Sequence, residues 1–126
     1  MSRHRRALGF VTGLLLFLPA CGQDVGTQAV IVAGSEPARG RAAIIRNGCV
    51  TCHTISGIRG ANGLVGPPLD RIASRAYIAG VLQNSPDNMT RWIRNPPGVD
   101  PLTAMPNLHL NDDEVHDIVG FLYTLR

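Results

Sequence analysis

Residues 49–53 read CVTCH. Two thiols three positions apart, with an imidazole directly behind the second, constrain this chain more than any other feature. A structural zinc ion would need four ligands. The one further cysteine, Cys21, lies in the N-terminal segment, and His109 and His116 come far downstream without paired spacing. A thioredoxin-like redox pair belongs in a βαβ setting, and no segment here alternates as a sheet strand would. The remaining chemistry is covalent attachment of a haem. Cys49 and Cys52 can each add across one vinyl group, and His53, next in line, then lies under the ring and binds the iron.

Haem also answers a packing problem. The chain has 126 residues, enough for one small domain, but only one Trp, two Tyr and three Phe. A core built from protein alone would be thin. One covalently held porphyrin supplies a large apolar face for several slender helices to wrap.

The N-terminus reads as an export signal. Arg3, His4, Arg5 and Arg6 form a basic region, and Ala7 to Pro19 is an apolar run of 13 residues. That run is short for a bilayer of about 30 Å, which argues against an uncleaved anchor. Its end, LPAC, resembles a bacterial lipobox, with Cys21 as the residue to be lipidated; the plainer reading is a signal peptide with an incidental cysteine. Residues 1–20 are therefore expected to be a lipoprotein-type signal and 21–36 a lipidated end and flexible tether. The apolar run Ala29 to Ala33 within it could instead pack as an extended strand. Residues 37–126 form the domain. The expected location is outside the cytoplasm, in the bacterial periplasm or on the outer face of the cytoplasmic membrane, held by lipid.

All 12 basic residues are arginine, and three leave with the signal, so nine arginines face nine acids. A near-neutral protein is a poor ligand for nucleic acid, which selects a net basic face. Charge is segregated along the chain: Arg39 to Arg94 holds eight arginines and two acids, Asn95 to Arg126 five acids and one arginine. Two readings stand, a solvated surface or a polar molecule that orients before docking.

The class is small and all-α, about four helices with long loops. The first helix is expected from Pro37, with Glu36 as cap and Ala38, Ala42, Ile44 and Ile45 on its apolar face, ending at Gly48. Residues 55–69 are loop, and a short helix is expected from Asp70 to about Ile78. Ser85-Pro86-Asp87 opens a helix with Met89, Trp92 and Ile93 on one face, stopped by Asn95-Pro96-Pro97-Gly98. Val99 to Leu110 is loop. Asn111 and Glu114 make a capping-box pattern before Val115, Ile118, Val119, Leu122 and Leu125.

The iron's sixth position has four candidates: Met89, Met105, His109 and His116. Met89 reads first as core, His116 as exposed, and Met105 lies in a loop stiffened by Pro101 and Pro106.

From about Pro37 onward the sequence resembles a class I cytochrome c. The motifs follow in order: CVTCH, then GPPL at Gly66 to Leu69, Arg75, RWIRNP at Arg91 to Pro96, PLTAMP at Pro101 to Pro106, and a closing amphipathic helix. The resemblance implies that Pro67 accepts a hydrogen bond from the far nitrogen of His53, that Arg75 pairs with a haem propionate, and that Trp92 lines the methionine side. It further implies that Thr103 helps hold the propionate edge and that Met105 is the second axial ligand. The stretch from Gly66 to Pro96 also looks like the cytochrome c domain of haem–copper oxidase subunit II, here without the copper-binding domain.

The resemblance implies an electron-transfer protein rather than an enzyme. It would be a monomer carrying one covalent haem c and taking electrons from a quinol-oxidising complex or dehydrogenase to a terminal oxidase. The alternatives are a haem enzyme or small-ligand sensor whose methionine is displaced, and the electron-transfer subunit of a dehydrogenase. No lysine is present to form the docking ring of mitochondrial carriers.

Overall fold

The computed structural model describes residues 32–126. The expected signal, Cys21 and the start of the tether lie outside the described residues. Helix α1 (Pro37–Arg46) leads into the single turn α2 (Cys49–Cys52), then a long loop and a 3-10 turn (Ile72–Ser74). A two-residue-per-strand hairpin follows, β1 (Tyr77–Ile78) against β2 (Leu82–Gln83), antiparallel. Helix α3 (Pro86–Arg94), the short α4 (Pro96–Val99) and α5 (Asp112–Leu122) complete the order.

Helix starts follow their capping chemistry. Ser85 Oγ accepts the Asn88 N–H at 3.2 Å, and Asn111 Oδ1 accepts the Glu114 N–H at 2.9 Å. Glu36 departs from expectation, since its side chain makes no cap bond. Its backbone N–H donates instead to Asp117 Oδ1 at 2.7 Å, across to α5.

The crossing of α1 and α5 forms the frame, and glycine decides it. The buried face of α1 is Gly40, Ala43 and Ile44, while Ala38, Ala42 and Ile45 are exposed. The expected apolar stripe is therefore rotated toward the small residues. A Cβ on Gly40 would lie 1.9 Å from the Asp117 carbonyl oxygen, so only glycine permits this approach. On α5, Val115, Ile118, Val119 and Leu122 are buried as their spacing predicts.

The helix expected over Asp70 to Ile78 is replaced by the 3-10 turn and the hairpin. Backbone φ is positive at Arg71 (54°), Ala79 (51°) and Gly80 (75°), which breaks any helix through this stretch. Two consecutive positive values at Ala79 and Gly80 suit the tight reversal of a hairpin.

Segregated charge in the sequence becomes paired charge in space. Arg39, Arg46 and Arg94 reach Asp117, Glu114 and Asp112 of α5, each at 2.7 Å. Asp117 is the buried member, 7% exposed at its side chain against 68% for Arg39. The Arg39 guanidinium holds its carboxyl below the usual range, and the Glu36 N–H adds to this. A depressed acid stabilises the fold fully above its ordinary value of 3.8 and loses that contribution as pH falls through the depressed value. Asp117→Asn is therefore expected to lower the urea midpoint at pH 7 and to shrink the loss of stability on acidification. Urea titrations of both proteins at several acidic pH values check this.

Residues 32–35, which fall within the expected tether, lie against α5. Val32 packs on the core, His116 Nε2 donates to the Ala33 carbonyl at 3.0 Å, and Ser35 sits over Gly120.

Candidate functional site

Below α3 and the crossing helices the loops enclose a cavity of about 480 Å³, a size typical of a cofactor site. Every site residue expected from the sequence within the described residues lines it: Cys49, Cys52, His53, Pro67, Arg75, Trp92, Thr103 and Met105. Met89 is also in the wall, buried at 3% as a core residue. His109 and His116 are outside it, and His116 is occupied by the Ala33 carbonyl.

The thiols are placed by backbone. Gly48 adopts φ 74°, ending α1 and turning directly into α2, which carries Cys49 and Cys52. Both thiols are free, and burial pushes that of Cys49 up. His53 follows in extended conformation. Its Nδ1 lies 2.7 Å from the Pro67 carbonyl oxygen, an acceptor only, so Nδ1 carries the proton and Nε2 keeps its lone pair.

The loop that holds Pro67 is pinned on both sides. Gly66 N–H donates to the Cys52 carbonyl and Leu69 N–H to that of Thr54, each at 2.8 Å, while Thr54 Oγ1 donates to Gly63 O at 3.0 Å. A Cβ on Gly66 would sit 2.4–2.9 Å from three imidazole atoms. Gly66 is thus a positioning residue that its place in GPPL signalled only indirectly.

Arg75 is the one guanidinium in the cavity wall among the described residues. Its Nη2 donates to the carbonyls of Pro68 and, at 3.0 Å, Asp70, clamping the same loop. Asn84 sets its backbone. Asn84 Nδ2 donates to the Ile72 and Arg75 carbonyls at 2.7 and 2.8 Å, and Asn84 Oδ1 accepts the Tyr123 hydroxyl at 2.6 Å. Burial pushes the Tyr123 hydroxyl up to about 12, so it stays a donor. A lone asparagine carries no signal in sequence, and this hub was not legible there.

The Met105 loop is stapled locally. Met105 N–H donates to Thr103 Oγ1 at 3.2 Å. Asn95 Oδ1 accepts from Gly98 N–H and from Asn107 Nδ2, both at 3.3 Å, tying the loop to the end of α3. Asn95 read in sequence only as part of a helix stop.

The residues present fit a haem on their own chemistry. Two unbridged thiols, an imidazole with its coordinating nitrogen bare and a thioether share one cavity with walls of Ile44, Ile72, Ile78 and Ile118.

Comparison with known proteins agrees. The chain is 28% identical to cytochrome c oxidase subunit 2 of Alkalihalophilus pseudofirmus over 89 residues, 70% of this chain and 25% of that protein. It is likewise 28% identical to cytochrome c oxidase subunit 2 of Bacillus sp. strain PS3 over 88 residues, 67% of this chain and 25% of the relative. The chain thus spans about a quarter of the length of these curated relatives. The family model for cytochrome c matches residues 37–126, the segment that builds the cavity, and the chain belongs to that family.

Proposed function

We propose that this chain is a membrane-tethered one-electron carrier, passing electrons from a quinol-oxidising complex or dehydrogenase to a terminal oxidase. Family membership gives haem-based electron transfer. The finer reading rests on one observation above all: His53 and Met105, 52 positions apart, share a single cavity with both thiols of CVTCH.

Haem bound there would supply a one-electron couple. The chain's own residues do the rest. Cys49 and Cys52 would hold the group through thioethers, and His53 would offer Nε2 while its proton stays on Nδ1 against Pro67. Met105 would offer an uncharged sulfur, which favours the reduced metal, and the apolar wall disfavours extra positive charge, so both raise the potential. Arg75 and Thr103 are the polar groups available to propionates. His53 and Met105 would both hold the iron, and the group so held would supply electron transfer rather than a site for oxygen or peroxide. The oxidase as acceptor is supported by the similarity to cytochrome c oxidase subunit 2.

A redox-titrated absorption spectrum of the purified protein tests this reading. A single high-potential titration with a near-infrared methionine–iron band is expected; a low-potential or high-spin spectrum would count against it. Tethering has a separate test. Cys21→Ser is expected to move the protein from the membrane to the soluble fraction, and continued retention in membranes would remove the lipid anchor.

A further inference from the structure

Asp100 is the one carboxylate in the cavity wall among the described residues, as Arg75 is the one guanidinium. The two stand on different loops. Arg75 clamps the loop whose Pro67 carbonyl holds His53, while Asp100 ends α4 and opens the loop that carries Met105. No ion pair joins them. Among the described residues the acids paired with arginine are Asp112, Glu114 and Asp117, all on α5. The charge of Asp100 is therefore not cancelled by an arginine at contact distance.

Asp100 is also built into the backbone of the Met105 loop. Its N–H donates to the Pro96 carbonyl at 2.9 Å, which fastens it to α4. Its Oδ1 accepts the Leu102 N–H at 3.0 Å, and its carbonyl accepts the Thr103 N–H at 3.1 Å. Thr103 Oγ1 in turn accepts the Met105 N–H at 3.2 Å. Hydrogen bonds thus run from α4 through Asp100 and Thr103 to Met105. An aspartate that bonds the N–H two residues on forms a turn of its own and fixes the direction of the chain after it.

Resting on the reading that His53 and Met105 hold a haem, we propose that Asp100 is a positioning residue for Met105 and sets the reduction potential below the value the axial pair alone would give. The second effect follows from sign. The oxidised form carries one more positive charge than the reduced form, so a fixed negative charge in the wall stabilises the oxidised form. Asp100 is half-buried, so water screens part of this attraction. In such partly wet surroundings one charge at the scale of the cavity changes the ratio of reduced to oxidised protein about threefold.

The test compares Asp100→Asn and Asp100→Ala with the wild-type holoprotein by redox titration, near-infrared absorption and the rate of carbon monoxide binding to the reduced protein. Asparagine keeps an oxygen for the Leu102 N–H and removes the charge. It is expected to favour the reduced form about threefold, a rise of about 28 mV at about 59 mV per tenfold, with the methionine–iron band in place. Alanine removes both charge and acceptor. It should show the same rise and, in addition, bind carbon monoxide about fivefold faster than the asparagine variant, the scale of one lost hydrogen bond. Asp87→Asn is the control, since Asp87 is exposed on α3 and outside the cavity wall; it should move neither quantity. A potential that stays or falls in Asp100→Asn overturns the proposal. So does an alanine variant that binds carbon monoxide no faster than the asparagine variant. A wild type without the methionine–iron band removes Met105 as ligand and the positioning role with it. A wild type with the band beside unmoved variants leaves the ligand reading standing and defeats the role of Asp100 alone.

Discussion

Cys49→Ser combined with Cys52→Ser is expected to yield a chain without haem and without a stable fold. The cavity is continuous with the core: Ile44, Ile72, Ile78, Met89, Trp92 and Ile118 are buried core residues and cavity walls at once. Left unfilled, a void of about 480 Å³ at about 24 cal/mol per Å³ would cost on the order of 10 kcal/mol. The mouth is open to water, so this is an upper bound. It is nevertheless as large as the whole stability of a domain this size, about 5–15 kcal/mol. Serine keeps the shape of cysteine and spares the backbone of α2, so the loss is assignable to the missing group. Far-ultraviolet circular dichroism with a thermal scan checks the outcome. A haem-free protein with native helix content and a cooperative transition would refute the claim that the core is completed by the cofactor.

Met105→Ala is expected to do the opposite: keep the fold and change the iron. Met105 is half-buried at the edge of the core, in a loop held independently by Thr103, Asn95 and Asn107. Removing its sulfur should abolish the near-infrared band, lower the potential by on the order of a few tenths of a volt, and let carbon monoxide bind the reduced protein. Met89→Leu provides the contrast. Met89 is 3% exposed on α3 and packs as core, so its replacement should keep the band with little shift in potential. A band that survives in Met105→Ala and disappears in Met89→Leu would transfer the ligand to α3.

What could be read from the sequence tracks where the chemistry is local. CVTCH carries its own spacing, and Ser85-Pro86 and Asn111 with Glu114 cap helices through contacts three residues away. Trp92 and Ile118 are buried because apolar period alone predicts it. The failures share a cause. Gly40 seats α1 on α5 by lacking a side chain, and a pattern of apolar residues cannot register an absence. The hairpin at Tyr77 to Gln83 has two residues per strand and turns through Ala79-Gly80 rather than Asn-Gly, so neither period nor turn chemistry announced it. Asn84 and Asn95 act through partners up to 39 positions away, and only the fold brings those partners near.

The eight residues expected at the site, all of which line the cavity, were singled out for a different reason: each belongs to a motif whose order along the chain marks it. Their assembly into one cavity was not, because it depends on the pinned loop at Gly63 to Leu69 and on the stapled loop at Asn95 to Asn107.

The most direct test of the account is intact and peptide mass spectrometry on the protein purified from its native host type and treated with a thiol-alkylating reagent. The account predicts one haem on the peptide containing Cys49 and Cys52, with neither thiol alkylated. A peptide with both cysteines alkylated and no added haem mass would contradict it.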